Sequence, residues 1–457
     1  MASQSNGTNG QLYADENASI TAEKQKSGVS KDVFVEDEAH QIQYKTLSWQ
    51  FVSLLMIAEI VSNGMLSLPS ALAVVGIVPA VILIVFLGIF GLYTAKLLVD
   101  FKLNHPSVHT MGDAGYIMFG PVARELLAFG TVAFAVFGSG SELLSSQQAL
   151  STLSNQGMCS MYLVIISGAI CFLISLPRTL DRLAWMGLLS AAVITLAGFI
   201  AMIGAGDNPV PERSLTVTAS SNFYDAFLAV TNPVRTFFSL RLITDRFFML
   251  ISEMRRPQDA MKAAWCLQGF ATAFYAAFSI VVYVYIGNTV QSPALFSLPP
   301  AWSKATFGIA LANFLFSSGL YTHTAAKLVF VRIFRHSEHI YSHTLLGWTV
   351  WIMLCFAGTS IAVILAIAVP IFSYLIGIAA SLFAAWYTYG LAGFFWLHDV
   401  YHLKGGTDGI KRRPIGATLA VLTILAGAFI CAAGTYVSIK LIVEAYKTGA
   451  VGRPFFC

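Results

Sequence analysis

The stretch Val61-Ser62-Asn63-Gly64-Met65-Leu66-Ser67-Leu68-Pro69 lies in the middle of an apolar run that begins near Leu47. The run is apolar enough to cross a bilayer, yet its centre carries Asn, Gly and Pro, each of which weakens a helix. In hydrocarbon an unpaired backbone N–H or C=O costs several kcal/mol, so irregular backbone survives at membrane depth only where it is buried in protein or lines a cavity. An interruption at Ser62, Asn63 and Gly64 therefore marks a candidate site. A kink at Pro69, with its freed groups satisfied by neighbouring helices, is the simpler reading of the same residues.

The rest of the chain sets that run in a membrane protein. Of its 457 residues 56% are hydrophobic and 11% charged, where soluble domains carry roughly 25% charged residues. Several windows exceed the roughly 20 apolar residues that span a bilayer, and the dyad alternation of a β-barrel is absent. The expected fold class is an all-α integral membrane protein with about 11 transmembrane helices, near 47–74, 77–101, 124–152, 159–176, 183–204, 222–252, 262–287, 304–332, 345–369, 371–397 and 414–443. Residues 1–45, rich in Ser, Asn, Gln, Lys and Glu, read as a disordered cytoplasmic tail with no signal-peptide pattern. Residues 46–443 then form the transmembrane domain, and 444–457 a short extracellular tail.

Orientation follows from the basic residues. With the N-terminus inside, the inner loops hold Lys102, Arg124, Arg178, Arg182, Arg255, Arg256, Lys262, Arg332, Arg335, Lys404, Lys411, Arg412 and Arg413, and the outer loops little beyond Arg213 and Lys304. That bias places the N-terminus in the cytoplasm and the C-terminus outside, so the sequons at Asn6 and Asn17 are expected to stay bare. The +4 net charge, from 27 Lys and Arg against 23 Asp and Glu, includes no arginine stripe for nucleic acid. The six cysteines read as packing residues, and the loop histidines His336, His339 and His343 as solvated side chains, so no metal site is expected. Nucleotide-binding and hydrolase motifs are absent; neither an enzyme nor a cofactor is expected.

A second break, Thr231-Asn232-Pro233, falls in the sixth expected span, five helices after the first. Two interrupted spans at matching positions of two five-helix halves point to an inverted-repeat transporter with its substrate at the midplane. Free N–H groups of Gly64, Met65 and Leu66, at the positive end of a half-helix, suit a carboxylate. Carbonyls of Val61, Ser62 and Thr231 suit an ammonium, and Asn63 and Asn232 stand within the two breaks. A ligand carrying both groups on one carbon is an amino acid.

Coupling residues are fewer. Glu59 lies about 12 residues, roughly 18 Å, into the first span; an acid there costs about 2.5–3.5 kcal/mol and is a functional candidate, here for proton coupling. A neutral Glu hydrogen-bonded to a neighbouring helix is the alternative. Glu142 reads as nearer the outer surface and structural, second in line for coupling. Ser317 and Ser318, beside Tyr321 and Thr322, either ligate sodium or bond back to their own helix, the commoner fate of membrane Ser and Thr. Protons are favoured over sodium.

The segments "MIAEIVSNGMLSLPSALAVVG", "ISEMRRPQDAMKAAW" and "VVYVYIGNTVQSPALFSLPP" resemble the amino acid/auxin permease family, and within it the fungal neutral amino acid permeases of the methyltryptophan-resistance type. The resemblance runs from about Lys45 to Lys440. It implies a LeuT-like fold of inverted five-helix repeats with helices 1 and 6 broken. It also implies proton-coupled uptake of neutral aliphatic and aromatic amino acids at the plasma membrane, with a vacuolar location as the alternative, and first-helix substrate contacts at Ser62, Asn63, Gly64 and Met65. A transport-silent amino acid sensor would share every one of these features.

One segment departs from the family. After Asn232-Pro233-Val234 the chain reads "RTFFSLRLITDRFFML", with Arg235, Arg241, Asp245 and Arg246 inside the sixth expected span. Three arginines at about 3 kcal/mol each oppose normal insertion, and an incorrectly spliced reading of the gene is the expected cause. Sequencing the transcript over codons 225 to 255 is expected to return a different, less charged segment; an identical reading refutes this.

Overall fold

The computed structural model describes residues 45–61, 63–219, 227, 243–335, 337–368 and 380–447. Among them, regular structure is helical throughout apart from one isolated bridge between Leu47 and Met254. The first expected span is divided into α1 (Trp49–Ile60), α2 (Asn63–Leu66) and α3 (Leu68–Val75). There follow α4 (Ile77–Asn104), α5 (Met111–Phe119), α6 (Pro121–Leu153), α7 (Ser160–Ser175), α8 (Leu180–Asp207), α9 (Ile243–Glu253) and α10 (Ala260–Ile286). The chain continues through α11 (Pro300–Phe334), α12 (Leu345–Ala368), two π-helical turns (Ala380–Ala384 and Trp386–Gly390), α13 (Leu391–Leu403), α14 (Gly406–Lys411) and α15 (Pro414–Lys447). The arginine-bearing segment from Arg235 to Arg241 lies outside the described residues.

Six of the described helices are long and apolar enough to cross a membrane, and three shorter stretches are apolar; this count does not establish the eleven expected spans. One reason is α11, 35 residues or about 52 Å long, whose middle and C-terminal half are polar. Asn313, Ser317, Ser318, Thr322, His323, Thr324 and Lys327 are each at most 1% exposed. Helices α6, α7, α8 and α12 pack around α11, so its polar groups meet protein and never lipid. Apolar side chains turn outward instead: Ile82, Phe86 and Ile89 on α4, and Leu422, Leu425 and Phe429 on α15, are exposed, as a hydrocarbon solvent permits.

Hydroxyls hold α11 to its neighbours. Ser139 Oγ of α6 lies 2.9 Å from Ser318 Oγ and 3.0 Å from Thr322 Oγ1 of α11, and Ser318 Oγ donates to Cys171 Sγ of α7 at 3.2 Å. Small side chains at these positions let three helix backbones approach closely. Cys171 and Cys355 are buried and free, in keeping with packing roles. Cys159 corrects that reading, because it is disulfide-bonded.

The end of the bundle that the basic residues assign to the cytoplasm is pinned shut. Leu47, just before α1, accepts the Arg255 N–H at 2.9 Å and donates to the Glu253 carbonyl at 3.1 Å. The Glu253 carboxylate meets Lys327 Nζ of α11 at 2.5 Å, with side chains 1% and 2% exposed. Nearby, α5 opens with a capping box between Thr110 and Asp113, and Arg335 donates to Asp113 at 2.8 Å. Burial raises the Asp113 carboxyl, but the charge and hydrogen bond of Arg335 outweigh it and hold the group below the usual carboxylate range. Arg178, expected to serve as a loop charge, is 5% exposed and donates to the carbonyls of His339, Ile340 and Ser342.

Removing one partner of a buried ion pair strands the other charge, at about 3–5 kcal/mol, whereas removing both can be neutral. Glu253→Gln is therefore expected to lower the melting temperature sharply, and adding Lys327→Met to restore most of the loss. A melting series in detergent measures the coupling; strictly additive losses would show that the two charges do not support each other.

Candidate substrate and ion site

Helix α1 starts with the Ser48 hydroxyl accepting from the Phe51 N–H and stops at Ile60, where Val61 makes the last turn by donating to Ile57 O at 2.9 Å. A helix end leaves its final carbonyls without intrahelical donors, and Ala58 lies in that last turn. Its oxygen accepts from Asn313 Nδ2 at 2.6 Å and Ser317 Oγ at 3.1 Å, both on α11. The same amide donates to Ser190 Oγ of α8 at 2.9 Å. One side chain thus fastens the broken helix to two of the helices behind it, with Asn313 and Ser317 fully buried.

Beyond the break, the four residues of α2 end where Ser67 folds back on Gly64, whose carbonyl accepts both the Ser67 N–H at 3.3 Å and the Ser67 hydroxyl at 2.9 Å. The chain resumes as α3 with Pro69 in its first turn, where a missing N–H costs nothing. Pro69 follows the break by two turns, so the kink that it offered as a simpler reading does not account for the interruption at Val61.

Apolar and aromatic groups close around this segment. Val61, Met65 and Leu66 are at most 1% exposed, and α2 packs between α6 and α10. On α8, Gly198 leaves room that the Phe274 ring of α10 fills, with the Met65 methyl beside it. Phe274 is in turn stacked on Phe270 at 5.5 Å and met edge-on by Phe199 at 5.6 Å. None of these described side chains is charged.

The expected coupling residues are partly separated. Ser317 reaches the break, but Ser318 faces α6 and α7 in the hydroxyl cluster already described. Neither bonds back to its own helix, which corrects the expectation for membrane serines: crossing helices lie close enough to offer better acceptors. Glu142 is 3% exposed on α6, one turn beyond Ser139, and its carbonyl accepts the Ser146 hydroxyl at 2.9 Å. The side chains of Glu59 and Asn63, together with Ser62, Thr231 and Asn232, lie outside the described residues.

Asn313 and Ser190 were missed by sequence reasoning. The signal was present, since an Asn inside the apolar "LANFLF" is an intramembrane polar group and a site candidate by default. Of the loop histidines, His339 Nδ1 is 2.8 Å from the Thr344 hydroxyl and His343 Nδ1 accepts from the Trp348 indole at 3.1 Å, each tied into its own turn.

A helix broken at its centre and buried against a polar helix, within an all-α bundle of LeuT-like fold, defines a membrane transporter. The chain belongs to the transmembrane amino acid transporter protein family, whose model matches residues 45–440. A transmembrane transporter of Gibberella moniliformis is 31% identical over 94% of this chain and 91% of its own length. The N amino acid transport system protein of Neurospora crassa is 31% identical over 91% of this chain and 89% of its own. Among solved structures, that of MhsT in complex with L-phenylalanine superposes with a TM-score of 0.56 at 12% identity, covering 84% of this chain and all of the other.

Asn313→Ala is expected to destabilise the protein by about 1–3 kcal/mol, because Ala58 and Ser190 each lose a buried donor, and Ser317→Ala by about 0.5–1.5 kcal/mol. Thermal melts of both variants beside Ser318→Ala check the ranking; an Asn313→Ala protein as stable as the parent would remove the amide from its fastening role.

Proposed function

We propose that this amino acid transporter carries neutral aliphatic and aromatic amino acids inward together with protons, by alternating access at the break between α1 and α2. The observation that carries this reading is the apolar wall at Val61, Met65 and Leu66, with the Phe274 ring beside Met65, next to an interrupted backbone. Such a wall favours an apolar side chain, and the interruption offers backbone groups to the ammonium and carboxylate, with Ser62, Asn63, Gly64, Thr231 and Asn232 as the remaining proposed contacts.

The arrangement at Ala58 favours protons over sodium. A sodium ion needs bare oxygen acceptors, and here an amide N–H already points at the carbonyl while Ser318 is turned to other helices. Glu59, next to Ala58 in the chain, is the proposed proton carrier. The buried Glu253–Lys327 pair supports a state closed on the side assigned to the cytoplasm, leaving the site to open toward the opposite side. The disulfide at Cys159, in a loop assigned to that opposite side, fits an oxidising compartment and a plasma membrane location with the N-terminus in the cytoplasm.

In liposomes carrying the full chain, labelled leucine and phenylalanine are expected to accumulate under an imposed inward proton gradient, and accumulation to collapse when the gradient is dissipated. Binding without uptake, in folded and inserted protein, would replace transport by a sensor. Glu59→Gln is expected to retain substrate binding and lose gradient-driven uptake; undiminished uptake would move coupling elsewhere, with Glu142 the next residue to substitute.

A further inference from the structure

Away from the break, two helix ends bring three imidazoles and a carboxylate together. His105 caps the C-terminus of α4, its N–H bonded to Phe101 O at 2.9 Å, and its Nε2 lies 3.0 Å from Asp399 Oδ1 on α13. His398, the preceding residue on α13, points Nδ1 at the same oxygen from 3.5 Å. The nitrogens of His105 and His398 and the Asp399 oxygen all lie within 4.8 Å of one another. His402 follows His398 by one turn, with ring centroids 4.4 Å apart.

We propose that His105, His398 and Asp399, with His402 as a fourth ligand, bind a divalent transition metal ion, with zinc the best match. Imidazole nitrogens with a single carboxylate suit zinc and its neighbours, whereas calcium and magnesium prefer all-oxygen sites. Bonds of about 2.0–2.2 Å set ligand atoms in a tetrahedral zinc site roughly 3.4 Å apart. The spacing of His105, His398 and Asp399 brackets that value, so small side-chain rotations bring these three to it, while the exposed His402 swings in as the fourth. His398 and His402, four residues apart on one helix, occupy one face, the spacing by which helices offer two imidazoles to zinc.

The surroundings are those of a built site. Asn104 Nδ2 donates to Asp399 Oδ2 at 2.8 Å, fixing the carboxylate by the outer-sphere hydrogen bond that metal ligands ordinarily have. Phe101 holds the rings from one side, its centroid 4.5 Å from that of His105 and 5.9 Å from that of His398. A cavity of about 680 Å³, lined among others by Lys96, Asp100, Asn104, Asp399 and Lys404, reaches the cluster at Asp399. An ordinary histidine–carboxylate fastener accounts for His105, Asp399 and Asn104. It does not account for His398 Nδ1, which is buried and has only a long 3.5 Å approach to an oxygen already in use. A metal among the three would satisfy it and tie the end of α4 to α13.

The test is isothermal titration of the purified full-length protein with zinc chloride, alongside the visible ligand-field spectrum of added cobalt(II) and its displacement by zinc. One equivalent of zinc and a tetrahedral cobalt spectrum are expected. His398→Gln combined with His402→Gln is expected to abolish both, and Asn104→Ala to weaken zinc binding by roughly 10- to 100-fold. His339→Ala combined with His343→Ala, in the other histidine-bearing loop, is expected to leave both unchanged. The cobalt spectrum of the unmodified chain stands even if a variant folds poorly. The proposal is overturned if the unmodified protein binds no metal, or if the His398/His402 variant keeps the equivalent.

Discussion

The hydrogen bond from the Asn313 amide to the Ala58 carbonyl, 255 residues away in the chain, is the contact on which the candidate site depends. Ending a helix at mid-membrane strands backbone carbonyls where no water can reach them, at several kcal/mol each. The interruption at Val61 therefore requires a donor from elsewhere, held rigidly and at depth. An asparagine on a face of α11 buried among other helices meets that need, and its second N–H ties Ser190 of α8 into the same arrangement. The broken backbone is supported by the polarity of α11, and that polarity is tolerable only because α6, α7, α8 and α12 enclose it.

This dependence explains what the sequence could and could not disclose. An interruption of the first span was legible because Ser62, Asn63 and Gly64 oppose helix locally within an otherwise apolar run, although α1 ends at Ile60 and Asn63 and Gly64 already belong to α2. Its partner was not, because a donor 255 residues distant leaves no mark on local periodicity. Helix α11 shows the same limit: hydropathy recognises helices by what faces lipid, and this one faces protein. Ser317 and Ser318 are adjacent in sequence, yet a rotation of about 100° per residue sends them to different neighbours, one to the break and one to α6 and α7.

Charged and ligating groups follow a similar rule. Arg178 reads as a loop charge, but three carbonyls of the segment before α12 enclose its guanidinium. The histidines that stand close together in sequence, His339 and His343, are spent separately on Thr344 and Trp348. Those that converge come from residues 105 and 398, nearly three hundred positions apart. Local spacing marks His398, Asp399 and His402 together on α13, but it cannot supply His105, which only the fold brings to them.

The two ends of the first span are held by different chemistry, and that difference bears on transport. At the break, neutral hydrogen bonds fix α1 to α11 without charge. At the closed end, an ion pair and a two-bond bridge join Leu47, Glu253 and Lys327. In the low-dielectric interior a buried ion pair persists only while its partners stay together, but once water enters, each charge is solvated and the attraction weakens to about 1 kcal/mol. Opening this end would thus exchange a strong contact for hydration rather than expose an unpaired buried group. A neutral hydrogen bond gains less from water than a charge does, so the Ala58 to Asn313 contact is the better pivot and the Glu253 to Lys327 contact the better latch.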